Sequence, residues 1–533
     1  MADMKVVADM KAKREIERKY ETGDGGPPDL TGVLTGVLTG VGPVAAVVDR
    51  GAAELDAVYY DTPDERLTAD GLTLRRRTGG HDAGWHLKLP VTTGVRDEIH
   101  APLSDTVPPA LAALVRSRVR DGELLPLVRL RTRRGTRHLV DADGTPLAEV
   151  AVDAVRAERL TGHGGAAQWT EIEVELADDG DPALLDAVDA CLREAGVRPS
   201  RAPSKLARAL TETATPDHPG PAPARHKAPK TAGDHVLAYL RAQRDALVAL
   251  DPAVRRDEYD SVHRMRVATR RLRSALRTYR TVLDRTATDP LRAELKRLAT
   301  ELGRDRDQEV LTERLTAALD DLPYTLVTGP VRTRLRTWSG TAHGDARRRL
   351  VADLDSDRHL ALLDALDALL ADPPLRPAAA GKPAKVIAKA VRKDLAALSA
   401  LLQHALDQPP GHDRDLALHE ARKRAKATRY AAEAAVPALG DPASGLVKAA
   451  KSLQSLLGDH QDSVMARRTL RELAGQAHAA GESAFTYGVL HGREEQRAAE
   501  LEARLPDIWR AIRKARKQAR KQARQGKKGR TAL

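Results

Sequence analysis

Between residues 14 and 176, apolar side chains alternate with polar ones in short runs broken by Gly, Pro, Asp and Thr. From residue 232 onward they recur every three or four positions in long Ala/Leu/Arg-rich stretches. Alternation puts successive side chains on opposite faces of a strand, and a spacing of three and four puts them on one face of a helix. The chain therefore reads as a strand-rich half (14–212) followed by a helical half (232–525). Between them, 213–231 reads as a semi-rigid linker, on the Pro-rich "TPDHPGPAPARHKAPKTAG" (215–233), which is almost devoid of large apolar residues. Residues 526–533 read as a basic disordered tail, with helix to about 522. "LTGVLTGVLTGVG" (30–42) repeats every four residues, but glycines disfavour a helix interior, so it reads as a weak surface helix or loop without chemistry.

In the first half the polar face of nearly every strand is charged. "REIERKYE" puts Glu15, Glu17 and Lys19 on one face and Ile16, Arg18 and Tyr20 on the other. "GLTLRRRT" carries Arg75 and Arg77, "GWHLKLP" His86 and Lys88, and "GVRDEIH" Arg96 and Glu98. "PLVRLRTRR" sets Arg129, Arg131 and Arg133 against Val128, Leu130 and Thr132. "LAEVAVDAV" groups Glu149 with Asp153, and "WTEIEVEL" groups Glu171, Glu173 and Glu175 opposite Ile172, Val174 and Leu176. A solvated sheet face mixes Thr, Ser, Gln and Lys; here the signs are sorted strand by strand. The economical geometry is a closed antiparallel barrel with a charged lumen and an apolar outside under helices. Inward charges without partners are costly. The Arg/Lys side asks for a polyanion and the carboxylates for divalent cations, a combination that suits a metal-bound phosphate chain.

Glu15-x-Glu17-x-Lys19 resembles the E-x-E-x-K signature of the CYTH domain, the triphosphate tunnel metalloenzymes, and the later segments follow in the family's order down to "SKLARAL" with Lys205. The resemblance spans about 14–212. It implies a tunnel barrel of about eight antiparallel strands that binds triphosphate with Mg²⁺ or Mn²⁺. It further implies Glu15, Glu17, Glu171 and Glu173 as metal ligands, with the choice within the late Glu triplet left open. Arg75, Arg77, Lys88, Arg96, Arg131 and Lys205 would form the phosphate clamp, with Arg129 or Arg133 as alternatives to Arg131. Lys19 would act beside the phosphates or the attacking water, together with Glu15 and Glu17. Glu149 and Asp153 would orient the arginines rather than touch metal.

The helical half contains a duplication. "VHRMRVATRRLR" carries His263, Arg266, Arg270 and Arg273; "LHEARKRAKATR" carries His419, Arg422, Lys426 and Arg429. Both have spacing 3, 4, 3, a single stripe along a helix, with no acid expected at i±4 on that face. Each precedes a Leu-Gly with an Asp four residues on (Gly303 and Asp307, Gly458 and Asp462) and a Lys seven residues before (Lys296 and Lys451). The copies predict two bundles of about four helices, near 232–375 and 383–525, whose stripes share one groove. This half resembles the CHAD domain, which implies that these ten side chains bind inorganic polyphosphate. The two histidines either donate to phosphate or hydrogen-bond within the bundle.

Composition sharpens this picture. Aromatics are only 3% of 533 residues, with a single Phe, so the cores must be built from Leu, Val and Ala. Lys plus Arg outnumber Asp plus Glu, 87 to 75, which points to an anionic partner. The lone Cys191 rules out an internal disulfide and reads as a small core residue. No long apolar run suggests a leader or a membrane span, and a cytoplasmic protein, associated or not with polyphosphate granules, is expected. The favoured function is metal-dependent hydrolysis of inorganic triphosphate coupled to polyphosphate binding. A non-catalytic polyphosphate or granule-targeting protein is the alternative, as is activity like that of thiamine triphosphatases or class IV adenylate cyclases. A nucleic-acid partner is disfavoured, because basic patches interleaved with base-stacking aromatics are missing.

Overall fold

A computed structural model describes residues 12–22, 28–38, 43–161, 164–214 and 228–528. Most of the expected linker (215–227) and the last tail residues (529–533) lie outside the described residues. The chain divides into two compact units, Met1–His226 and Lys227–Leu533.

The first unit is the expected closed antiparallel barrel. Its strands are β1 (Ala12–Glu21), β2 (Ala46–Asp61), β3 (Thr73–Thr78), β4 (Gly84–Thr92), β5 (Val95–Ala101), β6 (Leu125–Val140), β7 (Pro146–Arg159) and β8 (Ala166–Leu176). They run in the order β5-β4-β3-β2-β6-β7-β8-β1, and β1 pairs back onto β5 to close the ring. A short β9 (Arg198–Pro199) adds to the end of β1. The largest apolar clusters lie outside the ring. Helix α1 (Leu30–Leu38) and the later α4 (Ala183–Glu194) cover Ile172, Val174 and Val150. Helices α2 (Arg66–Ala69) and α3 (Pro109–Val119) cover Leu72, Leu74, Trp85 and Leu87. The "LTGVLTGVL" stretch is therefore not a surface feature: Leu30 and Leu34 are fully buried in the α1 contact, and this packing outweighs the low helix propensity of glycine. Cys191 is buried there as expected.

Helix α5 (Lys205–Glu212) is capped by the Ser204 hydroxyl, which accepts from the Ala207 amide (3.0 Å). It presses Leu206, Ala209 and Leu210 against Val128, Leu130, Val155, Ala157 and Trp169, the inward faces of β6, β7 and β8 at one end of the ring. That end of the barrel is apolar inside, and the rest is charged.

The second unit is helical: α6 (Ala232–Arg255), α7 (Ser261–Thr278), α8 (Arg285–Asp320), α9 (Val331–Leu354), α10 (Asp357–Ala371), α11 (Pro383–Asp407), α12 (His412–Leu439), α13 (Asp441–Ala479) and α14 (Phe485–Lys528). Helices α6–α9 correspond in order to α11–α14, and α10 makes five helices rather than four in the first repeat. The hairpins α8–α9 and α13–α14 meet through Leu315, Leu319, Val331, Leu470, Leu473 and Tyr487. Helix α14 continues to Lys528, beyond the end expected near 522. Its Ala/Arg/Lys/Gln run before Gly526 consists of good helix formers.

Candidate functional site

The barrel lumen gathers the alternating charges. The first half of β1 pairs with β5, Glu15 opposite Arg96, and its second half pairs with β8, Lys19 opposite Glu173. Glu15-x-Glu17-x-Lys19 therefore straddles the seam where the barrel closes, and the Glu17 amide donates to the Gly94 carbonyl there (2.9 Å). Arg75 and Arg77 on β3, Lys88 on β4, Arg96 and Glu98 on β5, Glu149 on β7, Glu173 and Glu175 on β8 and Lys205 on α5 join them around a cavity of about 200 Å³. Asp153 and Glu171 lie fully buried in its wall.

One expected member is not there. Arg131 is exposed on the opposite face of β6, as is Arg133, while Arg129 is bound by Asp56 (2.5 Å). The lumen residue of β6 is Arg134, which reaches Asp153 (2.6 Å) and Glu173 (2.7 Å). The physical reason is α5: on this strand the apolar residues Val128 and Leu130 face inward, so the charges alternating with them face out. Arg134 was legible as the one charge in phase with Val128, Leu130 and Thr132. Tyr59 and His86 also went unassigned: Tyr59 lines the cavity, and buried His86 bonds Glu98 (2.9 Å).

Every lumen carboxylate has a cation. Lys88 Nζ lies 2.5 Å from Glu15 and 3.7 Å from Glu98. Lys19 lies 3.1 Å from Glu17 and also pairs with Glu173. Arg96 is 3.8 Å from Glu17, and Arg75 is 3.6 Å from Glu98. Arg77 pairs with Asp82 of the β3–β4 turn. Lys205, expected on phosphate, instead sits among Asp153 (3.0 Å), Glu171 (2.7 Å) and Glu173 (2.5 Å). The Trp169 indole donates to the other Glu171 oxygen (2.6 Å).

Burial and mutual proximity shift the titrations. Burial, then a hydrogen bond shared with Glu98, pushes Glu15 up to about 8. Glu98 is held well below the usual carboxylate range, because His86 and Lys88 outweigh its own burial. Burial, with Arg75 and Arg134 nearby, brings Arg77 down to about 9. Burial takes the His86 imidazole down to about 4. Lys205 is raised despite burial, by Glu173, Asp153 and Glu171. Those same three carboxylates each offer an oxygen within 4.8 Å of the others. Clustered hard oxygen donors suit a small divalent cation. Glu15 and Glu17 stand beside this trio on β1 rather than within it. Among the described residues the other such cluster, Asp415, His460 and Glu502 in the helical unit, already has its carboxylates bound by Arg467 (3.1 Å) and Arg414 (3.0 Å).

In the helical unit the two basic stripes lie on α7 and α12, which pack together. They converge at Tyr430, whose ring has Arg429 at 4.8 Å, Arg271 at 5.9 Å and Arg270 at 6.0 Å. Burial, with Arg266, Arg422 and Arg273 adding like-charge repulsion, brings Arg270 down to about 10. The stripes are not free of acid: Glu433, four residues after Arg429, lies 3.5 Å from it and 2.9 Å from Arg271. Arg422 also reaches Asp462 at 3.5 Å. Each Leu-Gly glycine faces the Arg three residues after the stripe's His. A Cβ on Gly303 would stand 3.2 Å from Arg266, and one on Gly458 would stand 3.8 Å from Arg422. His419 bonds Gln461 (2.6 Å) inside the bundle, and burial lowers its titration. His263 is half-buried near the start of α7; Lys296 and Lys451 are exposed on α8 and α13. The side chain of Asp307 lies outside those described.

Comparison with known proteins agrees with this division. The CYTH domain family model matches residues 14–210, and the CHAD domain model matches 238–471. The uncharacterized protein Rv2226 of Mycobacterium tuberculosis is 39% identical over 521 residues, covering 94% of this chain and 98% of its own. Among solved structures, PptA from Streptomyces chartreusis is 26% identical and covers 53% of this chain and 100% of its own, with a TM-score of 0.43. The CHAD domain from the plant Ricinus communis is 24% identical, covering 55% of this chain and 97% of its own, with a TM-score of 0.42. No helix among the described residues is long and apolar enough to cross a membrane. A triphosphate-tunnel barrel closed around sorted charges, followed by a duplicated basic helical unit, is the architecture of the two-domain CYTH–CHAD proteins, and this chain belongs to that family.

Proposed function

We propose that the barrel hydrolyses inorganic triphosphate with Mg²⁺ or Mn²⁺ and that the helical unit binds polyphosphate through its converging stripes. The supporting observation is the lumen lining: apart from Tyr59, Thr73 and Ser204, every side chain on the cavity is charged. No aromatic sandwich for a nucleobase is among them, which favours an inorganic chain over a nucleotide.

Arg75, Arg77, Arg134 and Arg96 are fixed donors that neutralise and align the phosphates. Asp153, Glu171 and Glu173, with Glu15 and Glu17 alongside, would hold the divalent cation. When bound, it neutralises phosphate oxygens and makes water more acidic. Lys19, tethered by Glu17 and Glu173, holds an ammonium proton beside the substrate. Water attacks the terminal phosphorus, the bridging P–O bond breaks, and pyrophosphate leaves.

The test is phosphate release from tripolyphosphate with Mn²⁺. Glu15→Gln and Glu171→Gln should each lower kcat/KM by about 10²-fold or more; full activity in both would sink the barrel reading. For the helical unit, polyphosphate binding should fail in the Arg266/Arg270/Lys426/Arg429→Ala protein. Tight binding that survives there would remove the stripes from the function.

A further inference from the structure

Eight cationic side chains line the barrel cavity against seven carboxylates, and the buried Asp153 and Glu171 behind them bring the acids to nine. The lumen is thus nearly self-neutralised. A triphosphate alone would add several negative charges to a buried lumen that already holds a slight excess of acid, and a divalent cation bound with it offsets part of them. The geometry identifies the side chain through which the pairing acts.

Lys205 is the first residue of α5, and its backbone is fixed by the Ser204 cap and the apolar packing of Leu206, Ala209 and Leu210. Its flexible stem delivers Nζ to within 3.0 Å of all three carboxylates of the Asp153–Glu171–Glu173 trio. A divalent cation bound by the same oxygens needs contacts of about 2.0–2.6 Å. The ammonium and the metal cannot share that point. We infer that Lys205 is the resident counter-ion of this trio, displaced by the divalent cation, and that its displacement couples metal binding to triphosphate binding. Displaced, the ammonium stays buried at the cavity wall beside a second positive charge. That state is costly unless an anion meets it, and a phosphate oxygen in the adjoining cavity is the available anion. By linkage, each ligand raises the other's affinity by the same factor.

This rests on reading the lumen as a metal–triphosphate site. The experiment titrates the full chain with Mn²⁺, following the free-ion signal by electron paramagnetic resonance, with and without non-hydrolysable imidotriphosphate. Lumen binding is taken as the difference between wild type and Glu171→Gln. In wild type the analogue should tighten lumen Mn²⁺ about tenfold or more. In Lys205→Gln, Mn²⁺ without the analogue should bind about fivefold tighter than in wild type, and the gain from the analogue should shrink to less than about threefold. Unchanged or weaker Mn²⁺ binding in Lys205→Gln overturns the inference while leaving the site intact. If wild type and Glu171→Gln bind Mn²⁺ alike under both conditions, the metal–triphosphate reading itself fails. Should Lys205→Gln not fold, wild-type thermal shifts decide: Mn²⁺ and analogue together must raise Tm by more than the sum of each alone, and additive shifts overturn the coupling.

Discussion

Arg134 lines the cavity, joins Asp153 to Glu173 and lies 3.8 Å from Glu149, whereas Arg131, three residues earlier, is exposed on the outer face. Arg134→Ala should lower kcat/KM on tripolyphosphate by about 10²-fold or more. Arg131→Ala should stay within about twofold, since an exposed charge contributes little; steady-state kinetics on the two variants checks this. Stability should carry the signature of the Glu15–Glu98 pair and of His86. Burial and the bond shared with Glu98 push Glu15 up to about 8 when folded, against an ordinary 4.5 when unfolded. Between these pH values the native state holds more protons, so this group lowers stability as pH rises. His86 works the other way, costing stability as pH falls from 6.5 toward 4. From about pH 6.5 to 8 the first effect acts without the second, and Tm of the metal-free protein should decline there. Glu15→Gln should flatten that decline, as a calorimetric pH series would show; a wild-type Tm that climbs across the window contradicts it.

At the scale of elements, most of the barrel was readable from period-two alternation, because on β1, β3, β4, β5 and β8 the charged side of the charge-rich segment faces the lumen. β6 broke the rule where α5 reverses which face is apolar, and no pattern within β6 announces a helix arriving from some seventy residues later. In the helical unit the 3-4-3 spacing was enough to find the stripes, but not the role of the glycines. An added methyl at Gly303 would press on the Arg266 guanidinium at 3.2 Å, whereas the one at Gly458 would rest at ordinary contact, 3.8 Å, from Arg422. Gly303→Ala should therefore weaken polyphosphate binding about threefold to tenfold with little loss of helix content, while Gly458→Ala should bind as wild type. Fluorescence anisotropy with a labelled polyphosphate distinguishes them; equal effects would mean that the glycines do not set the arginine positions.

At the scale of the whole molecule, each unit has its own apolar clusters, so each should fold alone. Residues 1–226 should retain triphosphate turnover, and 227–533 should retain polyphosphate binding that weakens as salt is raised. Loss of turnover in a folded first unit would mean that its catalysis depends on the second. The local order of residues was sufficient for the two-part division, the strand-versus-helix character of each half, the Glu15-x-Glu17-x-Lys19 motif and the duplicated stripe. Those features are periodic and short-range, and a period is visible without knowing what lies opposite. Which charges meet was not visible: Lys205 with Asp153, Glu171 and Glu173, Arg134 in place of Arg131, and Arg270 and Arg429 on one tyrosine all join residues distant in the chain. Such encounters depend on how strands close and helices dock, and a side chain's charge and spacing are the same before and after that closure.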